Sequence, residues 1–422
     1  MWATEAIPLF ITSLCIPILI VVMGVLVDPK TKEVLPAPAA ANEVMGTLLS
    51  GTVLVALGAF TMSFALSKYN LSYRLAAFVL SKVGHQPKIV MLTIMLLELF
   101  LSMWINNVAS PVVCLSLVKP MLDELPPNEI YIKALLLGIA YAGNIGGMTT
   151  PIASPQNLVA VHVIQSTVYN NTAGFEVTGD IGWSSFLLVS LPYSLLCVFG
   201  VWIFLWIYFR PKLTYVDPLP PRELEPLSWK HLYVIIISVV TITFWAIEHQ
   251  IENTFGGNGI VGLIPVVAFF AVPILNKHDF KELSWDVLML LAGGLALGVA
   301  IQSSGLLAIM ANQLADAVQH SSLWVVLFTF AAFIWLFGNF ISHTVAAMIV
   351  LPVIANVGCT LGNGNCGVGR YKMLVIGSVF MDSGAMGLPV TSFPNAQAFS
   401  IQVIIFIYTF FFIYIIIYLF IF

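Results

Sequence analysis

Charged side chains are scarce in this chain. Lys, Arg, Asp and Glu make up 9% of its 422 residues, whereas hydrophobic residues make up 59%. Soluble globular domains contain about 25% charged residues. The mean hydropathy is +0.98, so the composition excludes an ordinary soluble domain. The net charge of −4 gives no indication of a nucleic-acid partner.

Catalytic and metal-binding signatures are also absent from the sequence. It contains no G-x-S-x-G, HExxH, CxxC or P-loop pattern. Its five cysteines show no metal-site spacing, and four lie in or beside apolar segments, where we expect small core residues. We predict that the protein is not an enzyme and uses no organic cofactor.

Long apolar runs make up most of what is present. About ten segments of roughly 17–26 residues are long enough for an α-helix to cross a bilayer. The sequence therefore predicts an all-α, multi-pass membrane protein. The predicted spans are 6–27, 47–66, 131–160 (broken), 184–209, 231–248, 259–275, 286–301, 371–398 (broken) and 401–422.

Two short polar stretches interrupt apolar runs at membrane depth. They are Ile105-Asn106-Asn107-Val108-Ala109 and Ile341-Ser342-His343-Thr344-Val345. Non-helical backbone at this depth is tolerated only where it is buried in protein or lines a cavity. We predict two re-entrant hairpins, 89–122 and 321–358, whose tips face each other across one binding site.

Each predicted hairpin is followed by a broken apolar span. The breaks contain Ser154-Pro155-Gln156-Asn157 and Ser392-Phe393-Pro394-Asn395, which align with each other. Inverted repeats with discontinuous helices are typical of secondary transporters, whose sites lie near the bilayer midplane. The two breaks therefore predict a transport site rather than two unrelated kinks.

The repeat also predicts the organisation of the chain. We expect a first inverted repeat over 1–209, a cytoplasmic linker over 210–230 and a second inverted repeat over 231–400. The first repeat has no counterpart of the helix 231–248, so we expect that a first helix is missing. The tail 401–422 contains no Gly, Ala, Ser or Pro and is an atypical candidate for a last helix.

The charge distribution predicts the orientation. If the first hairpin opens to the cytoplasm, most Lys and Arg residues, Lys68 among them, are cytoplasmic, as the positive-inside rule requires. The two hairpins must then enter the membrane from opposite sides.

The chemistry of the two polar regions predicts the ligands. Half-helix N-termini favour anions, and unwound carbonyls favour small cations. Neither polar segment contains Lys or Arg. His343 is the one group there that could change its charge near neutral pH, and Asp382 could take part in proton or cation coupling or act as a cap. We expect a small anion, coupled to sodium or protons.

At these residues the chain resembles the divalent-anion/sodium symporter family, which carries citrate, dicarboxylates and sulfate. The resemblance rests on the hairpin tips, the two breaks, Trp2-Ala3-Thr4-Glu5-Ala6-Ile7-Pro8-Leu9 and Leu291-Ala292-Gly293-Gly294-Leu295-Ala296-Leu297. It covers about residues 2–400. Trp104-Ile105-Asn106-Asn107 and Gly387-Leu388-Pro389-Val390 are similar to the fungal low-affinity phosphate transporters, whose SPX domain is absent from this sequence.

This resemblance implies an elevator-type homodimer in the bilayer that transports inorganic phosphate across a plasma or vacuolar membrane. A dicarboxylate, citrate or sulfate symporter is the alternative within the family. An anion channel or a non-transporting phosphate sensor is the alternative from another class.

The resemblance also implies site residues. The substrate would contact Asn106, Asn107, Ser154, Ser342, His343, Thr344 and Ser392. A first cation would bind at Asn106, Asn107 and Ala153, and a second at His343 and Thr391. An imidazole cannot replace the oxygen ligand that the family has at position 343, which leaves the second sodium site in question. Val108 stands where the family has threonine, which argues against unchanged carboxylate contacts.

Overall fold

The predicted all-α class is confirmed. A computed structural model describes residues 7–28, 33–105, 107, 109–126, 129–166, 168–170, 176–178, 181–216, 226–304, 322–339, 343–360, 368–387, 392, 394–395 and 397–398. The helices are α1 Leu9–Val22, α2 Ala37–Leu48, α3 Gly51–Lys68, α4 Leu71–Leu80, α5 Pro87–Ile105, α6 Ala109–Asp123, α7 Ile130–Gly147, α8 Pro155–Ser166, α9 Trp183–Phe209, α10 Trp229–Ala246, α11 Glu248–Phe255, α12 Asn258–Ala271, α13 Lys277–Lys281, α14 Trp285–Ser303, α15 Leu323–Gly338, α16 His343–Thr360 and α17 Val368–Ser383.

The helices are those of a multi-pass membrane protein. Within the described residues, five helical segments are long and apolar enough to cross a bilayer. They are Ala37–Lys68, Pro87–Ile105, Ile130–Gly147, Trp183–Phe209 and Trp229–Ala246. Several further apolar helices are shorter, and α15 and α16, which occupy the second predicted hairpin, are among them.

Two helix pairs occupy the predicted hairpin segments. In the first, α5 and α6 pack against each other and are separated by only 106–108. In the second, α15 and α16 pack together in the same way. The helices extend one or two residues beyond the predicted hairpin segments at three of the four ends; at the fourth, α15 begins two residues later than predicted. Differences of this size are usual at helix ends.

The first broken helix consists of two helices separated by a non-helical connection. Helix α7 ends at Gly147, residues 148–154 form turns, and α8 begins at Pro155. Proline suits the first position of a helix because its missing N–H would have no intrahelical partner there. In the second half α17 ends at Ser383, and the described residues after it begin with a turn.

Some elements were not predicted. Helix α2 precedes α3 and begins after Pro36 with an alanine-rich sequence. Strands β1 Val168–Asn170 and β2 Glu176–Thr178 form a short antiparallel pair. The repeat boundaries and the linker stay predictions, and the tail 401–422 lies outside the described residues. Of the cysteines, Cys114 and Cys197 are buried and free as expected, whereas Cys359 is disulfide-bonded.

Candidate functional site

The tip of the first hairpin contacts the first break. The backbone N–H of Asn107 donates to the carbonyl of Ala153 over 3.3 Å. The side chains of Asn107 and Ser154 both pack onto Gly147, where an added Cβ would lie 3.0 Å from Asn107 Cβ and 2.8 Å from Ser154 Oγ. These three predicted site residues are therefore brought together, and all are buried.

Amide and hydroxyl side chains hold this break in shape. Asn157 Nδ2 donates to the carbonyls of Gly147 and Thr150 over 2.8 and 2.7 Å. Thr150 Oγ1 donates to the carbonyl of Met103, in the last turn of α5, over 2.7 Å. The break is thus a fixed structure tied to the hairpin, which satisfies backbone groups that the missing helical turns leave open.

The second half contains a corresponding arrangement. His343 Nε2 donates to the carbonyl of Ala385 over 3.0 Å, which ties the second hairpin to the second break. The backbone N–H of Gly387 donates to Asn339 Oδ1 over 3.0 Å. Asn395 Nδ2 donates to the carbonyl of Met386 over 2.9 Å, and the aligned Asn157 likewise donates to nearby backbone carbonyls, those of Gly147 and Thr150.

The two halves are joined by contacts that the sequence reasoning missed. Asn144 Nδ2 donates to Asn395 Oδ1 over 2.9 Å, and Gln156 Nε2 donates to Ser383 Oγ over 3.2 Å. Each of these bonds links one broken helix to the other. The repeat alignment contained a signal for Asn144, because that residue occupies the position of Asp382 in the second half.

Glu98 lies at the same junction. Its Oε1 accepts a hydrogen bond from Ser110 Oγ over 2.7 Å, which joins the two arms of the first hairpin. An added Cβ at Gly143 would lie 2.8 Å from that oxygen and 3.3 Å from Pro394. Glu98 therefore contacts α7 where the second broken helix crosses it.

Several polar atoms at the two breaks are buried without a hydrogen-bond partner in the described structure. They include the hydroxyls of Ser154 and Ser392, which are aligned in the repeat, Asn157 Oδ1 and both carboxylate oxygens of Asp382. Asp382 Oδ1 lies beside Gly338 at the end of α15, 2.9 Å from the position of an added Cβ. Unpartnered buried polar atoms are uncommon, and they mark places where a ligand or ion can bind.

The remaining predicted residues differ in what the structure says of them. Thr344 is buried at the start of α16. Asn106, Ser342 and Thr391 lie outside the described residues. Among the described residues no group of three or more His, Cys, Asp or Glu could hold a metal ion, and no Lys or Arg is fully buried.

The chain is similar in sequence to known membrane transporters. A family model described as citrate transporter matches residues 1–368. The chain is 37% identical over 401 residues to the inorganic phosphate transporter PHO87 of Saccharomyces cerevisiae, covering 95% of this chain and 42% of that protein. It is also 37% identical to the low-affinity phosphate transporter PHO90 of the same yeast, covering 95% and 43%. The chain thus spans less than half the length of these two relatives.

More distant similarities extend further along the compared proteins. The sodium-dependent dicarboxylate transporter SdcS of Staphylococcus saprophyticus is 25% identical, with 94% of this chain and 77% of that protein covered. The YdaH transporter of Alcanivorax borkumensis, whose crystal structure is described as having an unusual topology, has a TM-score of 0.59 at 14% identity. That match covers 98% of this chain and 96% of the other. The resemblance inferred from the motifs is confirmed: this chain belongs to the citrate transporter family, whose members are multi-pass membrane transporters and not enzymes.

Proposed function

We propose that this chain transports inorganic phosphate across a membrane at the two breaks. The observation that carries the proposal is the pair of aligned serines, Ser154 and Ser392, whose buried hydroxyls have no partner in the described structure. A hydroxyl can donate one hydrogen bond to an oxyanion without placing a fixed charge in the membrane. Two yeast relatives with 37% identity are phosphate transporters by name, which favours phosphate over citrate or sulfate.

Helix ends add to the attraction for an anion. Helix α6 begins at Ala109 directly after the first tip, α8 begins at Pro155 directly after Ser154, and α16 begins at His343. The N-terminus of an α-helix carries a partial positive charge and free N–H groups. These helix ends replace the basic side chains that the polar segments lack.

A coupling cation balances the charge of the anion. The carbonyl oxygen of Ala153 and the side-chain amide oxygen of Asn107 are suitable sodium ligands in the first half. Asp382 is fully buried and has no partner among the described residues, which favours a protonated carboxyl or a bound cation at this position. Coupling to sodium or protons, and movement of the hairpins and breaks as one body of an elevator-type dimer, are parts of this proposal.

Uptake of radiolabelled phosphate into proteoliposomes tests the proposal. We expect saturable uptake that needs an inward sodium or proton gradient and that excess citrate or sulfate does not block. Transport of citrate or sulfate instead would contradict the choice of phosphate. Flux without a gradient requirement would indicate a channel, and phosphate binding without flux would indicate a sensor.

A further inference from the structure

A cavity of about 520 Å³ lies beside the first break, and none of the predicted site residues that the structure describes lines it. It is lined by the first turns of α3 and α12, by α8, by the segment that leads into α9 and by Pro151. Since Pro151 belongs to the break that ends in Ser154, the cavity adjoins the candidate transport site. It lies at the end of α3 opposite Lys68, which the charge distribution predicts to be the outer end.

Helices α3 and α12 start side by side at this cavity and run in parallel. An added Cβ at Gly259 would lie 2.6 Å from Gly51 Cα, and one at Gly262 would lie 2.6 Å from the carbonyl oxygen of Leu54. The contact between residues 51 and 259 is thus followed, three residues later in both helices, by the contact between 54 and 262, so the two helices point in the same direction. The glycines allow this close approach, which places two partial positive charges next to each other at the cavity.

Neither helix neutralises its own N-terminus. The side chain of the N-cap residue Ser50 makes no capping hydrogen bond, the N-cap residue Gly257 has no side chain, and neither first turn contains an acidic residue. Adjacent N-termini of parallel helices repel each other unless negative charge lies close by. Among the described residues, no Asp or Glu lines the cavity.

A donor that needs an acceptor lies behind the surface of the cavity. Trp183 is 6% exposed and lines the cavity, and its indole Nε1 has no partner in the described structure. An indole N–H can only donate, so it suits an anion and cannot ligate a cation. The hydroxyl of Ser50 is also buried without a partner there. Across the cavity, Thr52 Oγ1 lies 3.4 Å from His162 Nδ1, too long for a strong hydrogen bond.

We propose that this cavity is a second anion site, which binds a small oxyanion of the phosphate class before it reaches the break at Ser154. The role as a waiting site rests on the proposed transport of phosphate, whereas anion binding in the cavity does not. The two helix N-termini supply the attraction, and the Trp183 N–H and the Ser50 hydroxyl, which are buried behind the cavity surface, supply directed hydrogen bonds when these side chains turn toward the anion.

Two variants test the site. Ser50→Asp places a carboxylate at the N-cap, where it occupies the position of the anion. Trp183→Phe removes the N–H and keeps an aromatic ring. Trp202→Phe is the control, because its Nε1 donates to the carbonyl of Lys88 away from the cavity. Inorganic phosphate is the probe, and the readouts are the thermal unfolding of the purified protein with and without phosphate, and uptake into proteoliposomes.

The expected results differ between the variants. Ser50→Asp should unfold at a higher temperature than wild type without phosphate, since it supplies the missing negative charge, and should gain less from added phosphate. Trp183→Phe should raise the phosphate concentration for half-maximal uptake about tenfold, the effect of losing one hydrogen bond to a charged group. Its maximal rate should be unchanged, and Trp202→Phe should behave like wild type in both assays.

The two readouts separate this proposal from the proposed function. If wild type does not transport phosphate, a smaller phosphate-dependent stabilisation in Ser50→Asp and Trp183→Phe than in wild type would still support the cavity site. An equal stabilisation by phosphate in all four proteins, with equal half-maximal concentrations for uptake, would overturn it.

Discussion

Gly147 is the residue at which a single methyl group should disrupt the candidate site. It is the last residue of α7 and lies under both Asn107 and Ser154. In Gly147→Ala the new Cβ would lie 2.8 Å from Ser154 Oγ and 3.0 Å from Asn107 Cβ, whereas ordinary contact begins at 3.4 Å. Both neighbours must therefore move apart by several tenths of an ångström.

The expected loss of transport is larger than the expected loss of stability. Alanine gains up to about 1 kcal/mol in helix propensity over glycine, and overpacking a filled interior costs about 1–3 kcal/mol. The net destabilisation should thus lie between about zero and about 3 kcal/mol, which most folded proteins tolerate. Misplacing binding groups by about 1 Å can cost about 100-fold in rate, so we expect phosphate uptake to fall at least tenfold.

The chain contains a matched control for this substitution. Gly298 lies within the apolar helix α14, and an added Cβ there would have nothing within 4 Å. Gly298→Ala should leave uptake unchanged and stabilise the protein slightly. The assay is the initial rate of radiolabelled phosphate uptake at equal amounts of folded, reconstituted protein. Wild-type half-maximal concentration and rate in Gly147→Ala would refute the placement of the site over Gly147.

Three further predictions concern single contacts. Ser154→Ala should raise the half-maximal phosphate concentration in uptake assays about tenfold by removing a donor to a charged ligand, whereas Ser116→Ala, on an exposed part of α6, should not. A double-mutant cycle of Asn144→Ala and Asn395→Ala in thermal unfolding should give a coupling of about 0.5–1.5 kcal/mol, and strict additivity would contradict the bond between the halves. Asp279, in α13, accepts hydrogen bonds from Lys68 Nζ and from the backbone N–H of Asn276. Burial disfavours the ionised form of Asp279, but these hydrogen bonds outweigh it and lower its pKa below the ordinary value of 3.8. The ionised Asp279 therefore stabilises the folded state fully above pH 3.8, and this contribution is lost as the pH falls through the lowered pKa. The unfolding temperature of wild type should drop over this acid range, whereas that of Asp279→Asn should lack this part of the drop.

The positions of the polar interruptions could be predicted from sequence because the physical constraint on them is severe. Asparagine and proline inside an apolar run have few structural explanations in a bilayer. The helices on either side of 106–108 and the start of α8 at Pro155 confirm those predictions. Helix α2 was missed because an alanine-rich segment after Pro36 has no clear apolar periodicity and resembles a loop that leads into α3.

The contacts between the halves could not be predicted in the same way. The bond between Asn144 and Asn395 joins residues far apart in sequence, and an asparagine in an apolar helix can satisfy its amide in many ways. The cavity beside the first break was missed for a related reason. It depends on how closely α3 and α12 approach at Gly51 and Gly259, which is a property of packing and not of either sequence alone.

Among the described residues, no Lys or Arg is fully buried, and this constrains the proposed transport mechanism. Hydroxyls, amides and helix ends can bind a phosphate anion, but they do not cancel its charge, and an uncompensated ion in hydrocarbon is very costly. In the proposed transport cycle, a co-bound cation or proton supplies this neutralisation before the loaded site crosses the low-dielectric region. Asp382 strengthens this requirement, because its buried carboxylate would add a second negative charge if it were ionised. We expect such a site to cross the membrane when both the anion and its counter-ion are bound, or when both are absent. That condition by itself couples anion transport to transport of the cation or proton.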